Sequence, residues 1–217
     1  MKYMIGNQAY PTKTAEVSTA LEEAHTIAWP GQIDEGKTIF IFRNENDLRA
    51  WARSAPSPIA EQIERTNELA HKAQELENAD NEQAMVWQNL IIKRIISDMQ
   101  SLADRFRLDP ASIELLKIAH EGASVIEPPV LHSAILYDRD GCGGAFRPLP
   151  SGVPFPNLSW IGFNDRAGAV RNVPFGSVTL WRHRWFRGRT AFLTGTAVCL
   201  PLVDLNFDNM ASSALPL

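Results

Sequence analysis

The chain has 217 residues, 45% of them hydrophobic and 21% charged, which is enough apolar material for a packed core and excludes a disordered chain. No run reaches the roughly 18 consecutive apolar residues that a bilayer span needs. Residues 1–130 hold 13 Lys and Arg against 20 Asp and Glu, a balance of −7, whereas residues 131–217 hold 8 against 5, a balance of +3. The overall −4 therefore hides two parts of opposite sign.

The opening residues, Met1 to Lys13, lack the apolar segment and small-residue cleavage site of a secretory signal. The expectation is a soluble protein, either cytoplasmic or exported without a visible leader. Residues 1–54 read as a small mixed α/β unit. Lys2 to Ile5 and Gln8 to Tyr10 flank Gly6-Asn7, a pair suited to a tight hairpin turn because both tolerate positive φ. Thr14 opens a helix in which Val17, Leu21, Ala24 and Ile27 or Ala28 keep helical spacing until Trp29-Pro30-Gly31. Thr38 to Phe42 is short, β-branched and aromatic, which predicts a buried strand. Asn44 caps a second helix, with Asp47 in the reach-back position of a capping box and Leu48 and Trp51 on its apolar side.

Ala55-Pro56-Ser57-Pro58 is a break, and from Ile59 to Phe106 the chain contains neither glycine nor proline. Ile59, Ile63, Leu69 or Ala70, Ala73 and Leu76 form one helical stripe; Trp87, Ile91, Ile95, Met99, Leu102 and Phe106 form another. Polar Glu77 to Asn81 lies between them, which predicts a helical hairpin. Asp109-Pro110 starts a shorter helix to His120, aspartate serving as N-cap and proline as first helical residue. The predicted fold class is α+β multidomain. An α-rich domain spans 1–126, made of the unit at 1–54 and the hairpin plus short helix at 57–121. A stiff linker at 127–130 leads to a β unit at 131–217, where glycine, proline, aromatics and arginine rise and helical periodicity vanishes.

Cys142 and Cys199 are too few for a disulfide framework or a cysteine-rich zinc site. They are either buried apolar fillers or a single bridge. The five histidines show no zinc spacing, and no nucleophile elbow, phosphate loop or dinucleotide fingerprint is present, which disfavours an enzyme. Trp160, Trp181, Trp185 and Phe186 suit core packing better than a stacking platform. The arginines at 182, 184, 187 and 189 suit a solvated strand edge or an acidic partner better than nucleic acid.

The β unit contains two matching corners, Tyr137-Asp138-Arg139-Asp140-Gly141-Cys142-Gly143-Gly144 and Trp181-Arg182-His183-Arg184-Trp185-Phe186-Arg187-Gly188. Each places an aromatic, then four residues, an apolar residue, one more residue and a glycine, as a folded hairpin requires. A second element follows each: Asn164-Asp165-Arg166-Ala167-Gly168-Ala169 and Asp208-Asn209-Met210-Ala211-Ser212-Ser213. With these four elements in order, residues 131–217 resemble the βγ-crystallin superfamily, whose two Greek keys form one sandwich. In particular they resemble its microbial calcium-binding members.

The resemblance implies Ca²⁺ held between the paired loops by hard oxygen ligands. It places one intact site on the Met210 carbonyl, the Ser212 hydroxyl, the Asn164 side chain and a carbonyl near Arg139. A second site would use the Arg166 carbonyl and Asp208, but Gly168 stands where the family has a hydroxyl, so that site should be weak or empty. The expectation is a non-enzymatic calcium-binding protein whose helical domain meets a protein partner, with nucleic acid and membrane disfavoured. The alternatives are a protease inhibitor or secreted antagonist, and a toxin-like or membrane-active protein working through its long helices.

Overall fold

A computed structural model describes residues 1–30, 37–55, 57–77, 132–151, 153–172, 176–195 and 199–217. Eleven strands and three α-helices lie in these segments. The first part of the chain supplies β1 (Lys2–Ile5), β2 (Gln8–Tyr10), α1 (Ala15–Glu23), β3 (Thr26–Pro30), β4 (Thr38–Phe42), α2 (Glu45–Ser54) and α3 (Ser57–Glu77). The last part supplies β5 (His132–Arg139), β6 (Gly143–Pro150), β7 (Ala169–Asn172), β8 (Ser177–His183), β9 (Arg187–Thr194), β10 (Cys199–Pro201) and β11 (Ser213–Pro216).

Local chemistry accounts for the early elements. β1 and β2 pair antiparallel across Gly6-Asn7, with Gly6 at φ 57°. The Thr14 hydroxyl accepts the Val17 N–H at 3.3 Å and starts α1. Asn44 closes the start of α2 twice: its Oδ1 accepts the Asp47 N–H at 2.9 Å, and its Nδ2 donates to the Asp47 carboxylate at 2.9 Å. Leaving these first-turn donors unmet would cost on the order of 1 kcal/mol at each helix.

One expectation fails here. The helix opened by Thr14 stops at Glu23, and Thr26–Pro30, where the helical spacing was carried on to Ile27 or Ala28, is strand β3. All five residues of β3 are buried. A central strand covered on both faces is apolar throughout, so its residues satisfy an i, i+4 spacing as readily as an alternating one. The β-branched pair Thr26-Ile27 decides for the strand.

The strands form two sheets. Seven run in the order β11-β8-β9-β3-β4-β1-β2, and four in the order β10-β7-β5-β6. β3 lies parallel to β9, from Thr26 against Thr190 to Pro30 against Thr194. That ladder makes one continuous sheet from the strands of residues 2–42 and those of residues 177–216. Alternation then sorts the side chains onto its two faces. Ile27, Trp29, Ile39, Ile41, Val178, Leu180, Ala191 and Leu193 enter one cluster with α1 and the four-stranded sheet. Ala28, Phe42 and Phe192 enter another with Leu48 and Ala52 of α2 and Ile59 and Ile63 of α3. Further along α3, Ala70 packs with Trp181, Phe186 and Leu215.

The described residues of 1–54 contain four strands and two helices, a mixed α/β unit with β3 as the added strand. The first of the two expected helical stripes lies on α3, where Ile59, Ile63 and Ala70 are buried. The second arm from Trp87 to Phe106, the helix from Asp109 to His120 and the linker at 127–130 lie outside the described residues. No described helix is long and apolar enough to cross a membrane.

In the last part each Greek key lends its third strand to the other's sheet. β5, β6 and β7 of the first key share a sheet with β10 of the second, while Phe155 of the first key bridges to Ala214 in β11. Cys142 and Cys199 form a disulfide with Cα atoms 5.8 Å apart, linking the first corner to the lent strand β10. The bridge spans 57 residues. A loop of that length corresponds to about 4 kcal/mol of denatured-state chain entropy.

Because Ile27 is fully buried on the strand that joins the two groups of strands, Ile27→Ala should cost about 2–5 kcal/mol. Denaturant melts followed by tryptophan fluorescence and by far-UV circular dichroism should show the loss as one coincident transition. Two separated transitions would contradict the shared core.

Candidate metal centre

The two Greek keys repeat each other at an offset of 44 residues, so each loop can be compared with its counterpart position by position. Trp181 stands for Tyr137, Phe186 for Cys142, Gly188 for Gly144, Asn206 for Gly162 and Ser212 for Gly168. The backbone follows the same rule. Gly162 and Asn206 both take left-handed φ (69° and 51°), each closing a short 3-10 turn, at Leu158–Ile161 and Leu202–Leu205 respectively. Gly144 and Gly188 sit at φ 76° and 78°, where a Cβ would collide with Asp138 and His183 respectively. Both corners therefore need glycine at that place.

Each corner is bonded to its own loop. The Gly168 N–H donates to the Tyr137 carbonyl at 2.8 Å, and the Ser212 N–H to the Trp181 carbonyl at 2.9 Å. The loops are then bonded to each other. The Asp165 N–H donates to the Ala211 carbonyl at 2.9 Å and the Asn209 N–H to the Ala167 carbonyl at 3.0 Å. Asp165 and Asn209 hold the same left-handed conformation, φ 51° and 52°. Asn and Asp tolerate that region better than other side chains.

Side chains converge at one end of this pairing. Ser212 Oγ donates to Asp165 Oδ1 at 3.1 Å, and Asn164 Nδ2 donates to the other carboxylate oxygen of Asp165. One carboxylate therefore gathers Asn164 and Ser212, two of the expected ligands, from the two different loops. Ser212 is 7% exposed, Asn164 is half-buried, and the Asn164 Oδ1 is buried with no hydrogen-bond partner. Met210, two residues before Ser212, packs its side chain against the core.

An amide oxygen buried without a donor is costly in a protein interior, of the order of 1–3 kcal/mol. Together with a hydroxyl and a carboxylate it makes an all-oxygen group of the kind a hard cation takes. These residues fit calcium. Asp165 is the residue whose role the sequence reading missed. Its signal was its place as second member of the Asn/Asp pair, the position that must adopt positive φ.

The other end of the pairing is built differently. Gly168 has no hydroxyl to offer Asn209, and the Asp208 carboxylate accepts from Asn209 Nδ2 at 3.0 Å. A Cβ at residue 168 would lie 3.1 Å from the Asp138 carbonyl oxygen and 3.3 Å from Arg139 backbone atoms. Arg139 thus stands beside the Gly168 loop, while the backbone next to Ser212 is that of the second corner. The Arg166 side chain turns back on its own key. It donates to the Gly162 carbonyl at 3.0 Å, meets Asp138 Oδ2 at 3.3 Å and lies 5.5 Å from the Phe163 ring centroid.

Two arginines brace the 3-10 turns behind the loops. Arg147 Nε donates to the Ile161 carbonyl at 2.9 Å and Arg189 to the equivalent Leu205 carbonyl at 2.8 Å. Each also lies over the following phenylalanine, Phe163 or Phe207. Burial, with nearby Arg182 adding to it, pushes the Arg189 guanidinium down to about 10, so it remains charged at neutral pH. Trp181 and Phe186 are buried and meet edge to face at 5.0 Å, as core packing predicts, while Trp185 and Trp160 are half-buried. Among the described residues no group of three or more His, Cys, Asp or Glu stands together, so any metal here would rest on carbonyl, amide and hydroxyl oxygens as well as carboxylate.

The chain's neighbours among solved structures are βγ-crystallin domains. A domain solved in work on the evolution of the eye lens βγ-crystallin fold is 18% identical, with a TM-score of 0.37, and covers 43% of this chain and 93% of its own. A βγ-crystallin from an archaeon is 17% identical over 40% of this chain and 98% of its own, with a TM-score of 0.34. One from Ciona intestinalis is 23% identical over 39% and 98%, again at 0.34. With TM-scores this low, the fold is read from the chain's own strands. No protein-family model matches the chain, and no curated protein does.

The second corner owes its shape to Ser213. That residue is fully buried; its hydroxyl accepts the Phe186 N–H at 3.1 Å and donates to the His183 carbonyl at 2.7 Å. Ser213→Ala removes both of these buried hydrogen bonds, and thermal or denaturant melts should register a loss of about 1–3 kcal/mol. A neutral outcome would mean that water serves the corner equally well.

Proposed function

We propose that this chain is a non-enzymatic calcium-binding protein of the microbial βγ-crystallin type. One Ca²⁺ ties the two Greek keys together between loops 164–169 and 208–213. The Met210 carbonyl, the Ser212 hydroxyl and the Asn164 Oδ1 hold the ion, and Asp165 supplies the compensating charge. The observation that carries this reading is the buried, unpartnered Asn164 Oδ1 beside a carboxylate already bonded to Ser212. The second site, on the Arg166 carbonyl and Asp208, is weak because Gly168 provides no oxygen.

Bound calcium supplies a divalent charge that several oxygens can share. The chain's part is to preorganise those oxygens. Asn164 and Ser212 are already drawn together before the ion arrives, which lowers the ordering cost of binding. The ion stabilises the protein because it binds the folded loops and not the unfolded chain. The helical domain supplies the surface for a protein partner.

Calcium at a hundred times its dissociation constant adds about 2.7 kcal/mol to the folded state, or roughly 5–10 °C in melting temperature for a chain of this size. Scanning calorimetry with excess Ca²⁺ and with a chelator should show that rise in the wild type. Ser212→Ala and Asn164→Ala should each lose most of it, while Asp208→Ala should keep it. A wild-type melting temperature that ignores millimolar calcium sinks the proposal.

A further inference from the structure

The two corners are anchored by different means. The second is held by an apolar side chain and a hydroxyl: Phe186 is 3% exposed against Trp181, and Ser213 bridges the Phe186 N–H and the His183 carbonyl. At the equivalent places the first corner has Cys142 and Ala169. Ala169 has no hydroxyl, and a half-buried cysteine side chain is too small to fill the place of a phenylalanine. Both anchors of the second corner are missing from the first. In their place stands the disulfide from Cys142 to Cys199 on β10.

We propose that this disulfide is a redox latch on the first corner that sets how well loop 164–168 presents Asn164. The path is short. Cys142 belongs to the corner whose Tyr137 carbonyl accepts the Gly168 N–H at 2.8 Å. The corner's Asp138 and Arg139 backbone lies within van der Waals reach of Gly168. Arg166 of the same loop reaches back to Asp138. Loop and corner therefore move as one body, and Asn164 belongs to that loop. Both cysteines are half-buried, outside the fully buried core.

Opening the latch breaks one S–S bond. A dithiol donates two electrons and two protons, leaving thiols at Cys142 and Cys199 and a cyclic disulfide of the reductant. Without the bond, the described ties left to the first corner are its backbone ladder, the Gly168–Tyr137 hydrogen bond, the Tyr137–Phe146 ring contact and the Arg166–Asp138 pair, whose arginine is half exposed so that the pair is weak. The second corner is untouched, since none of its anchors involves sulfur.

The calcium consequence rests on the reading given under the proposed function; the latch itself does not, and two measurements separate them. Amide hydrogen exchange, followed by NMR in calcium-free buffer with and without a dithiol, compares two equivalent amides. Reduction should speed exchange at Gly168 at least tenfold and leave Ser212 unchanged. No acceleration at Gly168, or equal acceleration at both, overturns the latch, because the first outcome leaves the corner anchored and the second is global loosening. Calorimetric titration with CaCl₂ then reads the coupling: the oxidised protein should bind at least tenfold more tightly than the reduced one. Cys142→Ser with Cys199→Ser should match the reduced form and ignore the dithiol. Equal affinities in the two redox states overturn the coupling. If neither form binds calcium, the coupling falls with the calcium reading, and the exchange result still decides the latch.

Discussion

Two backbone hydrogen bonds, from Asp165 to Ala211 and from Asn209 to Ala167, hold the loops of the two Greek keys face to face. Much else in the last third of the chain follows from that exchange. It forces Asp165 and Asn209 into left-handed backbone. It also brings Ser212 from one loop and Asn164 from the other to the same carboxylate, although 47 residues separate Ser212 from Asp165. Neither loop makes that cluster alone, which is why it reports on the docking of the keys and not on either key by itself.

The 44-residue offset shows where the two keys have diverged, and the differences are chemically consistent. The second loop keeps a serine that reaches across to its partner, and the second corner keeps a buried aromatic and a serine beneath it. The first loop has glycine and arginine, and the first corner has cysteine over alanine. Gly168 is more than the absence of a hydroxyl, because a Cβ there would press on the Asp138 and Arg139 backbone at 3.1–3.3 Å. The corner has closed onto the loop. Covalent and ionic ties then do in the first key what packing and hydroxyls do in the second.

Features governed by neighbours along the chain were legible in the sequence. The hairpin across Gly6-Asn7, the caps at Thr14 and Asn44, the strand from Thr38 and the buried stripe of α3 all depend on residues within a few positions of one another. The corners and loops were legible because a repeat provides its own internal comparison. What failed was set at a distance. β3 was taken for the end of a helix because its character comes from β4 on one side and β9 on the other, the latter more than 150 residues away. The same contact joins the early and late strands into one sheet, and nothing in the composition of either segment announces it. Asp165 was passed over for a similar reason, since its hydrogen bond to Ser212 exists only once the loops have paired.

The parallel ladder between β3 and β9 also answers a problem of exposed borders. Were the Greek-key sandwich to stand alone, β9 would be the rim of its sheet, presenting eight residues of N–H and C=O to any strand that came by. Here Thr26 to Pro30 lie along it, and the rim is displaced four strands further, to Gln8–Tyr10, a stretch of three residues. The N-terminal segment thus works as a selvedge: it finishes the fabric of the sheet, and leaves a stranger's strand only a short hem to grip.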